Sequence, residues 1–238
     1  LIIKLEYINS YKNSQNNMPV SATLLTVGAN GTNASSYSSD SITPSANKLV
    51  LVSFQSDAVG GGTPVTNIPT ISGNGITWTQ VATQIDASNN QRETMWRGLS
   101  ASPSAGAITF DLAGQDNHNG YWIVTEFTTV DTATNQGIVQ SATAQGEDAV
   151  DTQTVTLAAF GSANNATYGS LSINRASLTD VTPGTGFTEV GEATVTEAGT
   201  IQGQFKNSED TTVDWSWNGT GGATRILIAV EIKLEVAG

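Results

Sequence analysis

The sequence predicts an all-β chain: a two-sheet antiparallel β-sandwich, jelly-roll-like and built from two pseudo-repeated halves. Three observations predict it. The composition suits short strands and polar turns, apolar residues recur with a period of two, and the first half of the chain is echoed in the second.

Charged residues make up only 13% of the 238 residues, while Gly, Thr, Ser, Asn and Ala dominate. Surface helices rich in Glu and Lys would read differently, so helix is the minority state. All-β sandwiches occupy this length as one domain, and one core is therefore expected. With no cysteine, neither disulfides nor thiolate metal sites support the fold, and the redox compartment cannot be read.

The alternation begins after Met18. Leu49 and Leu51 alternate with Val50 and Val52 as a strand buried on both faces, whereas Ile108, Phe110 and Leu112 alternate with Thr109 and Asp111 as a half-buried one. Val155 and Leu157, and Leu171 and Ile173, continue the pattern. Turn clusters such as Asn30-Gly31, Gly73-Asn74-Gly75, Asn119-Gly120 and Pro183-Gly184 separate about ten strands.

The repeat is the most informative feature. Ser45-Ala46-Asn47 recurs as Ser162-Ala163-Asn164, Gly73 to Thr77 as Gly184 to Thr188, Trp96-Arg97 as Phe205-Lys206, and Ile123 to Phe127 as Ile228 to Ile232. The offsets drift steadily through 117, 111, 109 and 105, as loop deletions would produce. The half-repeats run from about 42 to 130 and from about 150 to 236, within a single sandwich domain of residues 18–238. Each half, with four or five strands, is read as half of a sandwich around one shared core. Residues 1–17 differ in composition and form either an extension foreign to the fold or an N-terminal arm, in which Ile3, Leu5 and Tyr7 alternate with Lys4 and Glu6 and could pair with a neighbouring subunit. No signal peptide or transmembrane segment is read there.

Nine Lys plus Arg against 21 Asp plus Glu give a net charge of −12, which repels phosphate backbones and anionic lipid. Nucleic acid and membrane insertion are excluded as expected partners. An acidic shell suits crowded display, because like-charged sheet edges resist pairing with each other.

The runs GNGITWTQVA, SPSAGAITF, YWIVTEF and TVTLAAFGSANNATYG resemble a widespread group of uncharacterised proteins of tailed-phage and bacterial genomes, over most of the chain after Met18. That resemblance implies a virion-surface or cell-surface structural protein with a jelly-roll-like fold. It implies nothing about individual functional positions.

Candidate sites are few. Glu126, Glu231 and Glu93 are the carboxylates a glycosidase or lyase cleft would need, but Glu126 and Glu231 recur at the same place in both halves, as a property of the repeated strand would. The single histidine, His118, lies in a polar loop without a nucleophile elbow and reads as a solvated turn residue. In that loop Asp116, Asn117 and Asn119 offer oxygens for calcium, and Glu147, Asp148 and Asp151 form a similar acidic group. Otherwise no cofactor is called for. Trp215 and Trp217 project from one strand face and read as core, so a flat platform for sugar rings is sought at Trp78, Trp96, Tyr121 and Trp122.

The resulting expectation is a non-catalytic structural or surface-display protein, capsid-decorating or fibre-like, located on a virion or outside the cell. It would act through contacts with itself or with capsid and tail proteins. The alternative is a carbohydrate-binding module or lectin-like adhesin contacting a host-surface glycan; a jelly-roll hydrolase or lyase ranks below both.

Overall fold

The computed structural model describes residues 18–58, 65–133, 135–148, 150–174, 180–196, 198–218 and 224–236. The arm read at residues 1–17 lies outside the described residues. Sixteen strands follow in chain order: β1 (Ser21–Asn30), β2 (Ser36–Ser38), β3 (Leu49–Ala58), β4 (Thr70–Ser72), β5 (Thr77–Ile85), β6 (Gln91–Leu99), β7 (Thr109–Asp111) and β8 (Asn117–Thr128), then β9 (Ile138–Gly146), β10 (Thr152–Thr156), β11 (Ala166–Asn174), β12 (Val181–Pro183), β13 (Thr188–Val195), β14 (Gly199–Lys206), β15 (Thr212–Trp217) and β16 (Thr224–Ile232). Among the described residues there is no α-helix, only a 3-10 turn at Asn135–Gly137, and hence no helix long and apolar enough to cross a membrane.

Among the described residues all strand pairs are antiparallel, and they build four sheets. The first half makes a five-stranded sheet, β1-β8-β3-β6-β5, and a three-stranded one, β2-β7-β4. The second half repeats this order with each strand number raised by eight: β9-β16-β11-β14-β13 and β10-β15-β12. First and last strands of each half pair side by side, as in the wound order of a jelly roll.

The all-β antiparallel sandwich and its two related halves are thus as the sequence predicts, but there are four sheets in place of two. Each half is a complete sandwich with its own interior, not half of a shared one. Of the short strands only β7 was read, because Ile108 and Leu112 extend its alternation. β2, β4, β7 and β12 have three residues each, too few to display a period of two unless their neighbours extend it.

The two five-stranded sheets lie face to face, β3 across from β11, β1 from β13, β8 from β14, β6 from β16 and β5 from β9. Since β1 corresponds to β9 and β5 to β13, this is the arrangement of a two-fold dimer folded from one chain, with its axis between β3 and β11. Three apolar layers result. One lies inside the first half, where Tyr37, Phe54, Phe110 and Trp122 meet and the Phe54 and Phe110 rings stack at 4.4 Å. Another lies inside the second half around Trp215, Leu171 and Leu227. Between the inner sheets, Leu49, Leu51, Met95 and Phe127 meet Tyr168, Ile228, Val230 and Ile232.

Strand pairing also corrects one match of the repeat. Ser53 pairs with Met95 and Ser170 with Gly203, so Trp96 corresponds to Gln204 and Arg97 to Phe205. A slip of one residue changes the face: Trp96 enters the first-half interior, whereas Phe205 packs between the inner sheets. Val81 and Val190, which follow the repeated runs Gly73 to Thr77 and Gly184 to Thr188, do correspond, since they are the extra residues of bulges at equivalent points on β5 and β13.

Close packing against glycine yields a first prediction. Gly28 on β1 pairs with Trp122, and a Cβ added there would come within 2.6 Å of the indole ring. Gly28→Ala is expected to cost about 1–3 kcal/mol, measurable as a lowered midpoint in urea with an unchanged slope.

Candidate functional site

The three carboxylates picked out in the sequence occupy three different layers. Glu126 shares the face of β8 that carries Trp122 and Val124 into the first-half interior, and its Oε2 accepts the Ser45 backbone N–H at 2.6 Å. Glu231 shares the face of β16 that carries Leu227 and Ala229 into the second-half interior, where it accepts Asn165 Nδ2 and Gln140 Nε2, both at 2.6 Å. Glu93 is fully buried between the inner sheets. Two sheets therefore separate Glu126 from Glu231, and no cleft joins the three. In each half the repeated Glu fastens the loop that carries the Ser-Ala-Asn motif to the end of a central strand. Glu231→Ala would remove two hydrogen bonds, leaving the buried Asn165 amide without its acceptor while Gln140 keeps the Ala158 carbonyl, and Glu126→Ala would remove one, so the first is expected to lose more stability, about 1–3 kcal/mol, in the same urea titration.

The aromatic platform is corrected. Trp96 and Trp122 are only 4% and 6% exposed in the first-half interior, with Trp122 stacked on Phe110 at 5.9 Å. Tyr121 is buried between the inner sheets and Trp78 is half-buried against the first-half interior. Aromatic residues in alternate positions face one side of a strand, but here both sides of β6 and β8 are covered, so Trp96, Tyr121 and Trp122 form no platform. Trp215 is fully buried, as the sequence suggests.

The calcium loop is corrected as well. Asn117 and Asn119 are not loop residues but open β8, and they are buried at 1% and 2% exposure. Asn119 Nδ2 donates to Asp57 Oδ2 at 3.2 Å, and the Asn117 carbonyl accepts the Tyr37 hydroxyl at 2.9 Å. Asp116 stays exposed outside the strand, and His118, also exposed, lies 3.4 Å from the Asn119 amide. Of the second acidic group, Glu147 accepts the Ser88 N–H at 3.0 Å, and Asp148 pairs with the buried Arg225, whose Nε donates to Gln153 Oε1 at 2.8 Å. Among the described residues no three His, Asp or Glu side chains gather as a metal site would require.

The polar feature that sequence reasoning missed is the seam between the inner sheets. Along β3 the seam-facing residues are Leu49, Leu51, Ser53, Gln55 and Asp57: apolar at one end, polar at the other. β11 does the same with Tyr168, Ser170 and Ser172. Ser53 and Ser170 are 117 residues apart, the repeat offset itself, and their hydroxyls meet at 2.9 Å across the pseudo-two-fold axis. Ser170 then donates to Glu93 Oε1, Ser172 donates to Oε2 at 2.8 Å, and Gln91 Nε2 donates to Ser172 Oγ at 3.2 Å. Beside this chain Asp57 accepts from Gln55 and Asn119 and lies next to the Tyr121 hydroxyl.

Burial dominates the electrostatics here. Removal from water pushes both Glu93 and Asp57 up to about 7, only partly offset by the hydrogen bonds that Ser170 and Ser172, or Asn119 and Gln55, donate to them. Burial also raises Tyr168 to about 12 and Tyr121 further. Two carboxyls that titrate near neutrality can take up and release protons inside the molecule. The sequence signal was present, as Ser, Gln and Asp alternating with Val and Phe on β3, but that pattern ordinarily marks a solvent-facing side.

Comparison with known proteins finds no matching family model, no matching curated protein and no matching solved structure.

Proposed function

We propose that this chain is a non-catalytic structural or surface-display protein of virion or extracellular type, acting through contacts with copies of itself or with other shell proteins. One observation supports this reading most: the buried charged side chains are engaged in holding the fold together. Glu126 and Glu231 fasten loops, Arg225 braces the start of β16, and Glu93 joins the two halves. The outside is left to loops and sheet edges on a chain with 21 acidic and nine basic residues, a surface that stays soluble when crowded. A rigid closed scaffold with an unreactive exterior is what lattice or display roles require.

The test is assembly. Light scattering over a wide concentration range, with and without purified particle shells, is expected to show defined oligomers or co-sedimentation with shells. A strictly monomeric chain that leaves shells untouched would overturn the reading.

A further inference from the structure

The two halves of the seam are not chemically equal. Strand pairing makes Glu93 correspond to Ile201, Asp57 to Asn174, Gln55 to Ser172 and Gln91 to Gly199. The second half therefore completes the same architecture at these positions without a single carboxyl. Carboxyls are not what this fold needs there, and burying them unpaired is unfavourable. Neither Glu93 nor Asp57 forms an ion pair with any described residue. Each carboxyl accepts two side-chain hydrogen bonds, and two acceptors are left over nearby. Gln55 Oε1 and Gln91 Oε1, both fully buried, have no hydrogen-bond partner among the described residues. A proton on each carboxyl supplies a donor for these leftover acceptors; removing it adds a charge that hydrogen-bond donors face but that no cation balances.

We propose that the seam is a proton-operated joint: with Glu93 and Asp57 neutral the two sandwiches stay sealed, and with both ionised the joint loosens and admits water. The charges near these carboxyls have the same sign. Asp86 acts to raise Asp57, with Glu147 acting in turn on Asp86; Tyr168 on β11 stands beside Glu93 and Tyr37 near Asp57, while the Tyr121 hydroxyl on β8 hydrogen-bonds Asp57 and by itself favours the ionised form. All are acids or phenols. β14 and β16 present Ile201 and Ile228, which carry no charge. Arg97 sits four residues from Glu93 along β6, beyond Met95. The ligand of the joint is the proton itself, and its effect is on how firmly one sandwich, with its loops and edges, is held against the other.

Amide hydrogen exchange on the full chain at pH 5.5 and 8.5, corrected for intrinsic rates, tests this directly. Protection in β6, β11 and β14 is expected to fall about tenfold or more at the higher pH, while β7 and β15 in the outer sheets keep theirs. The double variant Glu93→Gln, Asp57→Asn is expected to show no such difference between the two pH values. An equal fall in all strands, or an undiminished seam-specific fall in the double variant, would overturn the proposal. Should the double variant not fold, Glu93→Gln alone and infrared spectra of the wild-type chain decide. A neutral-carboxyl band that disappears near pH 7 and is weakened in Glu93→Gln supports the joint, and a band already absent at pH 5.5 refutes it. Because the readout concerns two halves of one chain, it is independent of whether copies assemble.

Discussion

Between pH 4 and pH 8 the free energy of unfolding is expected to fall by at least ~3 kcal/mol, and by up to roughly 8 kcal/mol if both seam carboxyls contribute in full. In the unfolded chain Glu93 and Asp57 ionise near their ordinary values of 4.5 and 3.8, while the folded chain holds their protons to about 7. Below about pH 4 both states are protonated and this stabilisation is complete. As pH rises from there, unfolding releases protons, so each further unit favours the unfolded chain until the folded state also ionises near 7. Above about pH 8 the curve should be flat. At the acid end the opposite sign applies. Hydrogen bonding from Lys233 holds the Asp131 carboxyl below its usual range and that from Arg225 holds down Asp148, so these pairs weaken as pH falls. Both are at the surface and contribute little. The optimum is therefore expected on the acid side of neutrality. Urea titrations at half-unit intervals check it, and stability that rises from pH 5 to pH 8 would contradict the burial of these groups.

Trp215→Ala is expected to cost about 3–5 kcal/mol, the largest loss of any single substitution considered for this chain. Trp215 is fully buried in the second-half interior, and its ring lies over Gly169 of β11, where an added Cβ would approach within 2.6 Å. The glycine leaves no side chain that could swing into the space the indole vacates, so a cavity should persist. The indole N–H has no hydrogen-bond partner among the described residues, which makes the loss one of packing and not of polar pairing. Trp78→Ala supplies the contrast: that ring is half-buried, and its removal should cost less than half as much. Fluorescence-monitored unfolding of both variants, with four of five tryptophans retained in each, measures the difference.

Much of the architecture was legible from residues alone. Leu49 and Leu51 alternate with Val50 and Val52 on β3, Phe110 and Asp111 take opposite sides of β7, and the repeated Glu takes the same place on β8 and on β16. These readings succeed because period two is a property of the strand itself, whatever lies beyond it. The number of sheets was not legible. Three-residue strands leave too short a trace, and a strand that is polar on one face looks the same whether that face meets water or a second sheet.

The candidate sites divide along the same line. Composition and alternation by themselves determined an all-β, thiol-free, acidic chain made of two related halves, since these depend only on local geometry and on counting charges. Only the tertiary structure decided that Trp96 and Trp122 are core, that Asn117 and Asn119 begin a strand, and that Ser53 and Glu93 face Ser170 and Ser172 across a closed seam. Which face of a strand is covered depends on residues distant in sequence, 77 positions for Glu93 and Ser170 and 117 for Ser53 and Ser170, and only the folded chain brings those together.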